Sequence, residues 1–294
     1  LKMPPRAVEF LFRPLLLSAL NGEPEEISAR YAAMVIRRVL LSPRGGALGF
    51  FQVPMSHIWE QVVPLVERAG GEVRPQTRVK AITVERGRVV GVRLVGGEEI
   101  PGAAVIAALP PQELVRLLPE EHRGFLLSAE GIPWSPIVCV HFLFDRSVLP
   151  LQFLFAPGLP LQAAFSVTRL QGREGPEHVA AVLSGARDWL GKPPEEVKEV
   201  LLDSLRELAP RARAARPMAS YVLRFPHATF LPAPGVDEKR PRSLNPIRGL
   251  FLAGDFVHTG WPATLEGATL SALSAAHFTM EASKAEVKST PALH

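Results

Sequence analysis

The segment from Gly249 to about Met280 constrains the fold more than any other part of this chain. It begins with an apolar run, Gly249 to Asp255, and continues through a short loop into a helix of small residues. A short apolar run bounded by glycines predicts a buried strand. A buried strand followed by a loop and a helix is the repeating unit of open α/β sheets.

Ligand binding is the chemistry that this strand end favours. In open α/β sheets, ligands lie beyond the carboxyl ends of the strands. Gly254 leaves room for a ligand near the backbone, and the Asp255 carboxylate can accept hydrogen bonds from ligand hydroxyls. An ordinary strand, loop and helix with Asp255 as a cap is the alternative, and the residues alone leave it open.

The predicted start of the final helix strengthens the case for a ligand. Pro262 fits a first helical turn, because its missing N–H costs nothing there. The N–H groups of Ala263, Thr264 and Leu265 are expected to lack partners, with the helix dipole behind them. Such a terminus favours an electron-rich or anionic ligand atom.

The first seventy residues are predicted to be helical. Apolar residues recur at helical spacing over Pro5–Leu20, Glu25–Leu41 and Ser56–Ala69, and Pro14 predicts a kink or break in the first of these. The glycine-rich stretch 44–49 follows no predicted strand, so we interpret it as a connector and not as a phosphate-binding loop.

Strands dominate the middle of the chain, with two helices between them. Alternating and continuous apolar runs predict strands at 79–84, 89–95, 103–109, 137–144, 153–156, 163–168, 179–184 and 218–225. Helices are predicted at 112–118 and, with strong amphipathicity, at 194–209. Five prolines within 226–246 predict a long irregular connection.

Charge and cysteine content exclude several classes of protein. A formal net charge of +4 is too small for a typical nucleic-acid-binding protein, so no nucleic-acid partner is expected. The basic excess between Arg206 and Arg248 is interpreted as a solvated face, with an anionic surface or phosphate ligand as the alternative. The single cysteine, Cys139, rules out an intramolecular disulfide and predicts a buried thiol in a reducing compartment.

The closing segment resembles a known cofactor motif. Leu250 to Asp255, followed by Leu265 to Ala268, is similar to the C-terminal motif that binds flavin adenine dinucleotide (FAD) in the flavin amine oxidase and phytoene desaturase superfamily. Phe12–Asn21 and Thr259–Ala268 resemble its squalene-associated branch, the hydroxysqualene dehydroxylases. Arg78–Pro110 and Ala228–Gly235 resemble other parts of the superfamily, so the similarity covers nearly the whole chain.

The resemblance implies a role for individual residues. It implies that Asp255 binds the ribityl or pyrophosphate part of FAD and that the Leu265 N–H faces the pyrimidine edge of the flavin. Negative charge on that edge, left by a hydride arriving at N5, suits a helix N-terminus. It also implies that Val79 holds the adenine through its backbone and that Ala108 and Pro110 lie near the phosphates.

Two further residues bear on the substrate. The resemblance places Thr264 where amine oxidases carry an aromatic side chain beside the flavin, and a hydroxyl there argues against amine oxidation and for a hydrocarbon-like substrate. Trp261 is expected either to line an apolar tunnel or to pack in the core. The expected cofactor-binding residues are thus Val79, Ala108, Pro110, Gly254, Asp255, Trp261, Pro262, Ala263, Thr264 and Leu265. No catalytic residue can be named, and no metal site is expected.

The chain departs from the superfamily at its beginning. It has no Gly-x-Gly-x-x-Gly segment, so it is expected to be the C-terminal two thirds of a flavoenzyme. The expected fold class is α/β with α+β, in which pieces of a Rossmann-like FAD-binding domain alternate with a substrate domain of antiparallel sheet plus helices. The expected segments are 1–70 (substrate-domain helices), 71–112 (FAD-domain meander), 113–242 (substrate domain), 243–285 (FAD-domain strand, loop and helix) and a tail, 286–294.

These expectations define a function and its rivals. The resemblance implies an FAD-dependent desaturase or dehydrogenase acting on an apolar isoprenoid, such as a squalene or carotene precursor, by hydride exchange with the flavin. An amine oxidase or protoporphyrinogen oxidase-like enzyme is one alternative, which a pocket lined by aromatics and carboxylates would favour. A fragment unable to hold FAD is another. The expected location is cytoplasmic, and peripheral membrane contact and homo-oligomer formation both stay open.

Overall fold

The structure, a computed structural model, describes residues 4–43, 45, 47 and 49–289. Of the predicted glycine-rich connector, Arg44, Gly46 and Leu48 lie outside the described residues. The chain divides into two compact units, and each is discontinuous. The first comprises Leu1–Val73 and Trp134–Leu231, and the second comprises Arg74–Pro133 and Pro232–His294. The segment boundaries expected from sequence stay a prediction.

Strands and helices of the described residues are numbered in chain order. The strands are β1 Val79–Glu85, β2 Arg88–Leu94, β3 Glu99–Pro101, β4 Val105–Ala107, β5 Trp134–Phe144, β6 Phe153–Phe155, β7 Ala163–Ser166, β8 Glu177–Ser184, β9 Pro217–Phe230 and β10 Leu250–Leu252. The α-helices are α1 Pro5–Ala7, α2 Arg13–Leu20, α3 Ala29–Leu40, α4 Ser56–Arg68, α5 Pro111–Leu117, α6 Leu127–Glu130, α7 Val167–Leu170, α8 Pro194–Leu208, α9 Val236–Lys239 and α10 Leu265–Ser289. Short 3₁₀ turns occur at Glu120–His122, Gly124–Leu126, Arg187–Trp189 and Pro210–Arg213.

The first unit is built on an antiparallel five-stranded sheet in the order β6-β7-β8-β5-β9. Alternate residues of β5 point into its core, where they pack with the apolar side of α8. The core members on these two elements are Val138, Val140, Phe142, Phe144, Val197, Leu201 and Leu205. One face of the sheet is therefore buried against the apolar stripe of α8, which is the amphipathic helix predicted at 194–209.

The other face of this sheet carries apolar side chains that are only partly covered. Strand register aligns Phe155, Ala163, Val182, Cys139 and Leu223 in one row across the five strands. The neighbouring row is Phe153, Phe165, Ala180, His141 and Tyr221. We call these two rows the open face of the sheet. Cys139 itself is buried, which confirms that prediction, and burial raises the pKa of its thiol to about 12.

Two prolines have different effects from those predicted. Of the kink or break predicted at Pro14, the break is wrong, because a π-helical turn, Val8–Phe12, joins α1 to α2 in one helical run. The widened turn lets the Arg13 N–H donate to the Val8 carbonyl, and the proline ring is accommodated near the start of α2. The predicted irregular connection from Pro226 is also wrong at its beginning, since β9 continues to Phe230.

Pro226 is tolerated because β9 is an edge strand. Its partner β5 pairs Ile137 with Phe225 and Ser135 with Thr229, and the register shifts between those pairs. The shift places Pro226 in an irregular stretch of the ladder where a missing N–H breaks no regular pairing.

The second unit contains two small sheets. The meander β1-β2-β3 is antiparallel, and β10 pairs with β4 in parallel. A cluster of buried side chains from both sheets, α5 and the segment 247–257 forms its core, including Ile82, Val89, Leu114, Leu252 and Phe256. Helix α10 packs on β10 through Ala275 and Phe278. The helix continues to Ser289, beyond the predicted end near Met280.

Candidate functional site

The predicted strand ends meet at one edge of the parallel sheet. Strand register pairs Leu250 with Val105 and Leu252 with Ala107, and all three residues of β10 are buried. Just past the strands, the Ala253 N–H donates to the Ala107 carbonyl at 3.1 Å. The segments that begin at Ala108 and Gly254 therefore leave adjacent parallel strands at the same end, where open α/β sheets bind ligands.

Gly254 is required by its own surroundings. Its φ is +135°, and a Cβ there would lie 2.6 Å from Cε1 of the buried Phe256 ring. Its N–H donates to Ser271 Oγ at 2.8 Å, which ties the strand end to the buried side of α10. The sequence alone predicts the approach of a ligand as the reason for this glycine, whereas the structure shows that Phe256 already excludes a side chain.

Asp255 is half-buried beside the strand end. Burial raises the pKa of its carboxyl above the ordinary value, although the Phe256 N–H and the nearby Arg240 charge favour the ionised form. The alternative role of Asp255 as a helix cap is wrong, because Thr264 Oγ1 accepts the hydrogen bond from the Gly267 N–H at 3.2 Å. The carboxyl of Asp255 thus lies in a poorly solvated position and does not cap the helix.

Helix α10 presents free backbone donors at its beginning. The helix starts at Leu265, and within the described part of the chain the Leu265 and Glu266 N–H groups make no hydrogen bond to the protein. Pro262 is buried before the helix, so its predicted place in the first helical turn is wrong. Its carbonyl accepts from the Thr264 hydroxyl at 3.2 Å, so the proline shapes the loop that leads into the helix.

Close packing fixes this helix start against the loop. A Cβ at Gly267 would lie 3.0 Å from the Pro262 carbonyl oxygen and 3.3 Å from the Trp261 Cβ. Trp261 and Ala263 are partly buried, while Leu265 is exposed. The loop from Gly254 to Leu265 is therefore an ordered connection, and its own backbone adds to that order, since the Val257 N–H donates to the Gly254 carbonyl at 3.2 Å.

A residue predicted to belong to a solvated face lies under this loop. The Arg240 side chain is fully buried, and its guanidinium donates to the carbonyls of Asp255, Phe256, Val257 and Trp261. The exposed-face interpretation of the basic excess is wrong for Arg240. The local sequence pattern could not have identified Arg240 as a buried residue, because Arg240 lies within the proline-rich stretch that carries no periodic signal.

Val79 is placed apart from the other predicted residues. It begins β1 in the antiparallel meander, where its register partner is Leu94. Ala108, Pro110, Gly254 and the helix start all follow the parallel pair. No described hydrogen bond joins Val79 to them, so its role toward an adenine stays a prediction.

The first unit contains a cavity of about 510 Å³ over part of the open face. Aromatic residues Phe155, Phe165 and Trp189 line it together with aliphatic side chains. Its charged members are Glu9, Arg13, Glu23 and Asp188. Arg13 donates to Glu23 at 2.8 Å and to Glu9 at 3.3 Å, and these contacts raise the pKa of Arg13.

A histidine pair lies at another part of the open face, in a smaller groove of about 380 Å³. His141 Nδ1 and His178 Nε2 are 2.7 Å apart, and the Tyr221 ring stacks on His141. Burial lowers the pKa of both histidines, so the pair is neutral at pH 7. Within the described residues, no group of three or more His, Cys, Asp or Glu side chains is arranged to hold a metal ion.

Comparison with known families gives one match over most of the chain. The sequence model of the family described as flavin containing amine oxidoreductase matches residues 2–277. The 15-cis-phytoene desaturase of Synechococcus elongatus is 26% identical over 276 residues, covering 87% of this chain and 58% of the relative. The hydroxysqualene dehydroxylase of Sinorhizobium fredii is 30% identical over 275 residues, covering 90% and 61%. The chain thus spans about three fifths of the length of these relatives.

Solved structures with the same fold confirm the fold class. An oxidoreductase from Methanosarcina mazei superposes with a TM-score of 0.71 at 16% identity, covering 93% of this chain and 65% of that one. A protein described as a protoporphyrinogen oxidase from Exiguobacterium gives 0.66 at 18% identity, covering 92% and 64%. At these identities the likeness concerns the fold. None of the described helices has the length and apolar character needed to cross a bilayer.

Proposed function

Because the chain belongs to the flavin containing amine oxidoreductase family, we propose that it is the part of an FAD-dependent oxidoreductase that completes the flavin site and binds an apolar isoprenoid substrate. The observation that carries the proposal is the edge where β4 and β10 end. There Gly254, the poorly solvated Asp255 and the free N–H groups of α10 follow one another along a single ordered loop.

The chemistry of this edge fits a flavin. The Leu265 and Glu266 N–H groups, with a helix of 25 residues behind them, would stabilise negative charge on the pyrimidine edge of the ring. The carboxyl of Asp255 would accept hydrogen bonds from ribityl hydroxyls, which would replace the solvent that burial removes. When bound, FAD supplies hydride transfer, while the protein orients it and excludes water.

The open face of the first unit supports an apolar substrate. Across its two rows, the side chains are aromatic or aliphatic except for Cys139 and His141. Leu223 and Tyr221 are 38% and 50% exposed, which is unusual for a continuous apolar surface. The cavity over this face has a volume within the range of small-molecule sites, about 300–1,000 Å³. Relatives at 26% and 30% identity carry names of isoprenoid enzymes, a phytoene desaturase and a hydroxysqualene dehydroxylase.

One observation favours a second candidate, an amine or a protoporphyrinogen-like ring as substrate. The cavity is lined by aromatic side chains and by the carboxylates of Glu9, Glu23 and Asp188, the lining expected for such substrates. Arg13 is paired with two of these carboxylates, which weakens their attraction for an ammonium group. Of the carboxylates on the described lining residues, that of Asp188 is not paired with Arg13. One such carboxylate is a weak basis for binding an ammonium group, so we propose an isoprenoid substrate ahead of an amine.

Flavin binding tests the first part of the proposal. The purified chain is titrated with FAD and followed by flavin fluorescence and visible absorbance, beside Asp255→Ala and the matched control Asp203→Ala on the exposed side of α8. We expect binding by the wild type and the control and at least about tenfold weaker binding by Asp255→Ala, since a charge-assisted hydrogen bond contributes roughly 1.5–3 kcal/mol. Equal binding by all three proteins would show that Asp255 is not part of the site. A wild type that takes up no FAD would favour the fragment without cofactor.

Substrate class is tested by anaerobic reduction of the bound flavin. The FAD-loaded protein is mixed separately with phytoene, squalene-type polyprenes and primary amines, and bleaching of the oxidised flavin is recorded. The isoprenoid proposal expects bleaching by a polyprene only. Bleaching by the amine, and its loss in Asp188→Asn, would support the second candidate.

A further inference from the structure

We infer that Arg240 is a positioning residue for the flavin loop, the segment 255–261, and that it holds this loop in its binding conformation before any cofactor arrives. The inference rests on the proposed function only for the identity of the ligand. Its physical basis lies in one buried guanidinium and the carbonyls around it.

All five N–H bonds of the guanidinium are used. The ε N–H donates to the Phe256 carbonyl at 3.2 Å. One terminal nitrogen donates to Trp261 at 2.8 Å and to the Asp237 carboxylate at 3.0 Å. The other donates to the carbonyls of Asp255 at 3.0 Å and Val257 at 2.6 Å. Four of the acceptors are main-chain groups of a single loop, so the side chain acts on the backbone path and not on particular side chains.

The loop is folded around this cation. Three consecutive carbonyls, those of residues 255–257, converge on the guanidinium, and the carbonyl of Trp261 closes the far side. The next residue of the same segment as Arg240 adds a bond of its own, since the Pro241 carbonyl accepts from the His258 N–H at 2.8 Å. Because these four carbonyls are directed at the buried cation, the Asp255 carboxyl and the Leu265 N–H after the loop are the groups that we assign to a ligand.

Arginine is the one residue that satisfies this geometry. A lysine ammonium carries three N–H donors on one atom and cannot reach acceptors spread along a planar fork. A neutral replacement would leave four carbonyls without donors, and those of Phe256 and Val257 are buried. The loop could hydrate these carbonyls only by opening to water. Loss of the guanidinium is therefore expected to loosen the loop first, and FAD affinity would fall because binding must then order it.

The experiment compares Arg240→Lys and Arg240→Ala with Arg242→Lys and Arg242→Ala, matched changes at an exposed arginine two residues away. Amide hydrogen exchange of peptides within 252–265 is measured without FAD, and FAD binding is measured on the same samples. We expect exchange of the loop to rise about tenfold or more in both Arg240 variants, with peptides of β5 and α8 unchanged and with the Arg242 variants like the wild type. FAD binding should weaken by a similar factor.

Chemical rescue separates positioning from a general structural role. Guanidinium ion at a non-denaturing concentration should restore slow exchange and FAD binding in Arg240→Ala, whereas an equal concentration of sodium or ammonium should not. Failure of rescue, or exchange in the Arg240 variants as slow as in the wild type, would overturn the inference.

Two further results separate this inference from the proposed function. If the Arg240 variants do not fold, hydrogen exchange of the wild type tests the inference. A loop that is preformed without FAD requires its hydrogen-bonded His258 amide to exchange slowly. Fast exchange there would refute the inference. If the wild type binds no FAD but the exchange results are as expected, the proposed function fails while the role of Arg240 in ordering the loop stands.

Discussion

Replacing Gly254 by alanine should destabilise the second unit strongly and for two separable reasons. At a φ of +135° an alanine side chain is strained, which costs on the order of 1–3 kcal/mol. Its Cβ would also lie 2.6 Å and 2.9 Å from two ring carbons of Phe256, a side chain buried in the core of the unit. Overpacking of that kind costs about 1–3 kcal/mol. We therefore expect a loss of about 2–6 kcal/mol in the free energy of unfolding.

The matched control is Gly97→Ala. Gly97 has a φ of +91° in the same unit, and a Cβ there would meet no atom within 4 Å, so only the backbone cost applies. Urea titrations read by pulsed hydrogen exchange and mass spectrometry report peptides of the second unit separately from the first. Combining Gly254→Ala with Phe256→Leu should recover about 1–3 kcal/mol of coupling free energy, because leucine lacks the ring carbons that clash. If Gly254→Ala costs no more than Gly97→Ala, the packing argument is refuted.

Three further predictions concern single groups. Burial raises the pKa of Asp255 above its ordinary 3.8, so ionisation of this carboxyl destabilises the folded protein as the pH rises through the raised pKa. Asp255→Asn should therefore stabilise the cofactor-free protein at pH 7, and urea titrations should show that this gain vanishes below pH 3.8. Glu177 is buried and accepts from the N–H groups of Val148 and Leu149 and from the Ser166 hydroxyl; Glu177→Gln should cost about 2–3 kcal/mol in the free energy of unfolding, while the exposed control Glu174→Gln should change it by less than about 0.5 kcal/mol. With a pKa of about 12, Cys139 should react with a thiol reagent at pH 8 about a thousandfold more slowly than in the unfolded chain, and equal rates would contradict its burial.

Most elements of the fold could be predicted because their signals are local. Helix α8 shows charged and apolar residues on opposite sides, and β5 contains an apolar run of strand length, so both elements follow from the pattern. The errors lie where tertiary context decides. Whether Pro226 ends a strand depends on whether that strand is at the edge of a sheet, and whether Pro14 ends a helix depends on a π-turn before it. Neither condition can be obtained from neighbouring residues.

The candidate site also contains parts that the sequence predicts and parts that depend on tertiary contacts. The strand end at Gly254 and the helix start near Leu265 have a recognisable sequence pattern, and the structure places them on one loop. Arg240 precedes Asp255 by fifteen positions in a stretch without periodicity, and its contacts are with carbonyls, which every residue possesses. Because the acceptors carry no side-chain signature, no pattern in a single sequence could have linked the guanidinium to the loop.

Main-chain recognition by Arg240 also determines which changes the loop can tolerate over evolutionary time. The guanidinium contacts the carbonyls at 255–257 and 261, so the side chains of the loop can diverge without weakening its support. The length of the loop is constrained, because one inserted or deleted residue between 257 and 261 would move a carbonyl away from its donor on Arg240. A library that randomises residues 258 and 259 at fixed length, with Gly260 kept because its φ is +80°, should therefore yield many folded proteins. Libraries one residue longer or shorter should yield few. The contacts of Arg240 would thus preserve the backbone path of the loop while its side chains change.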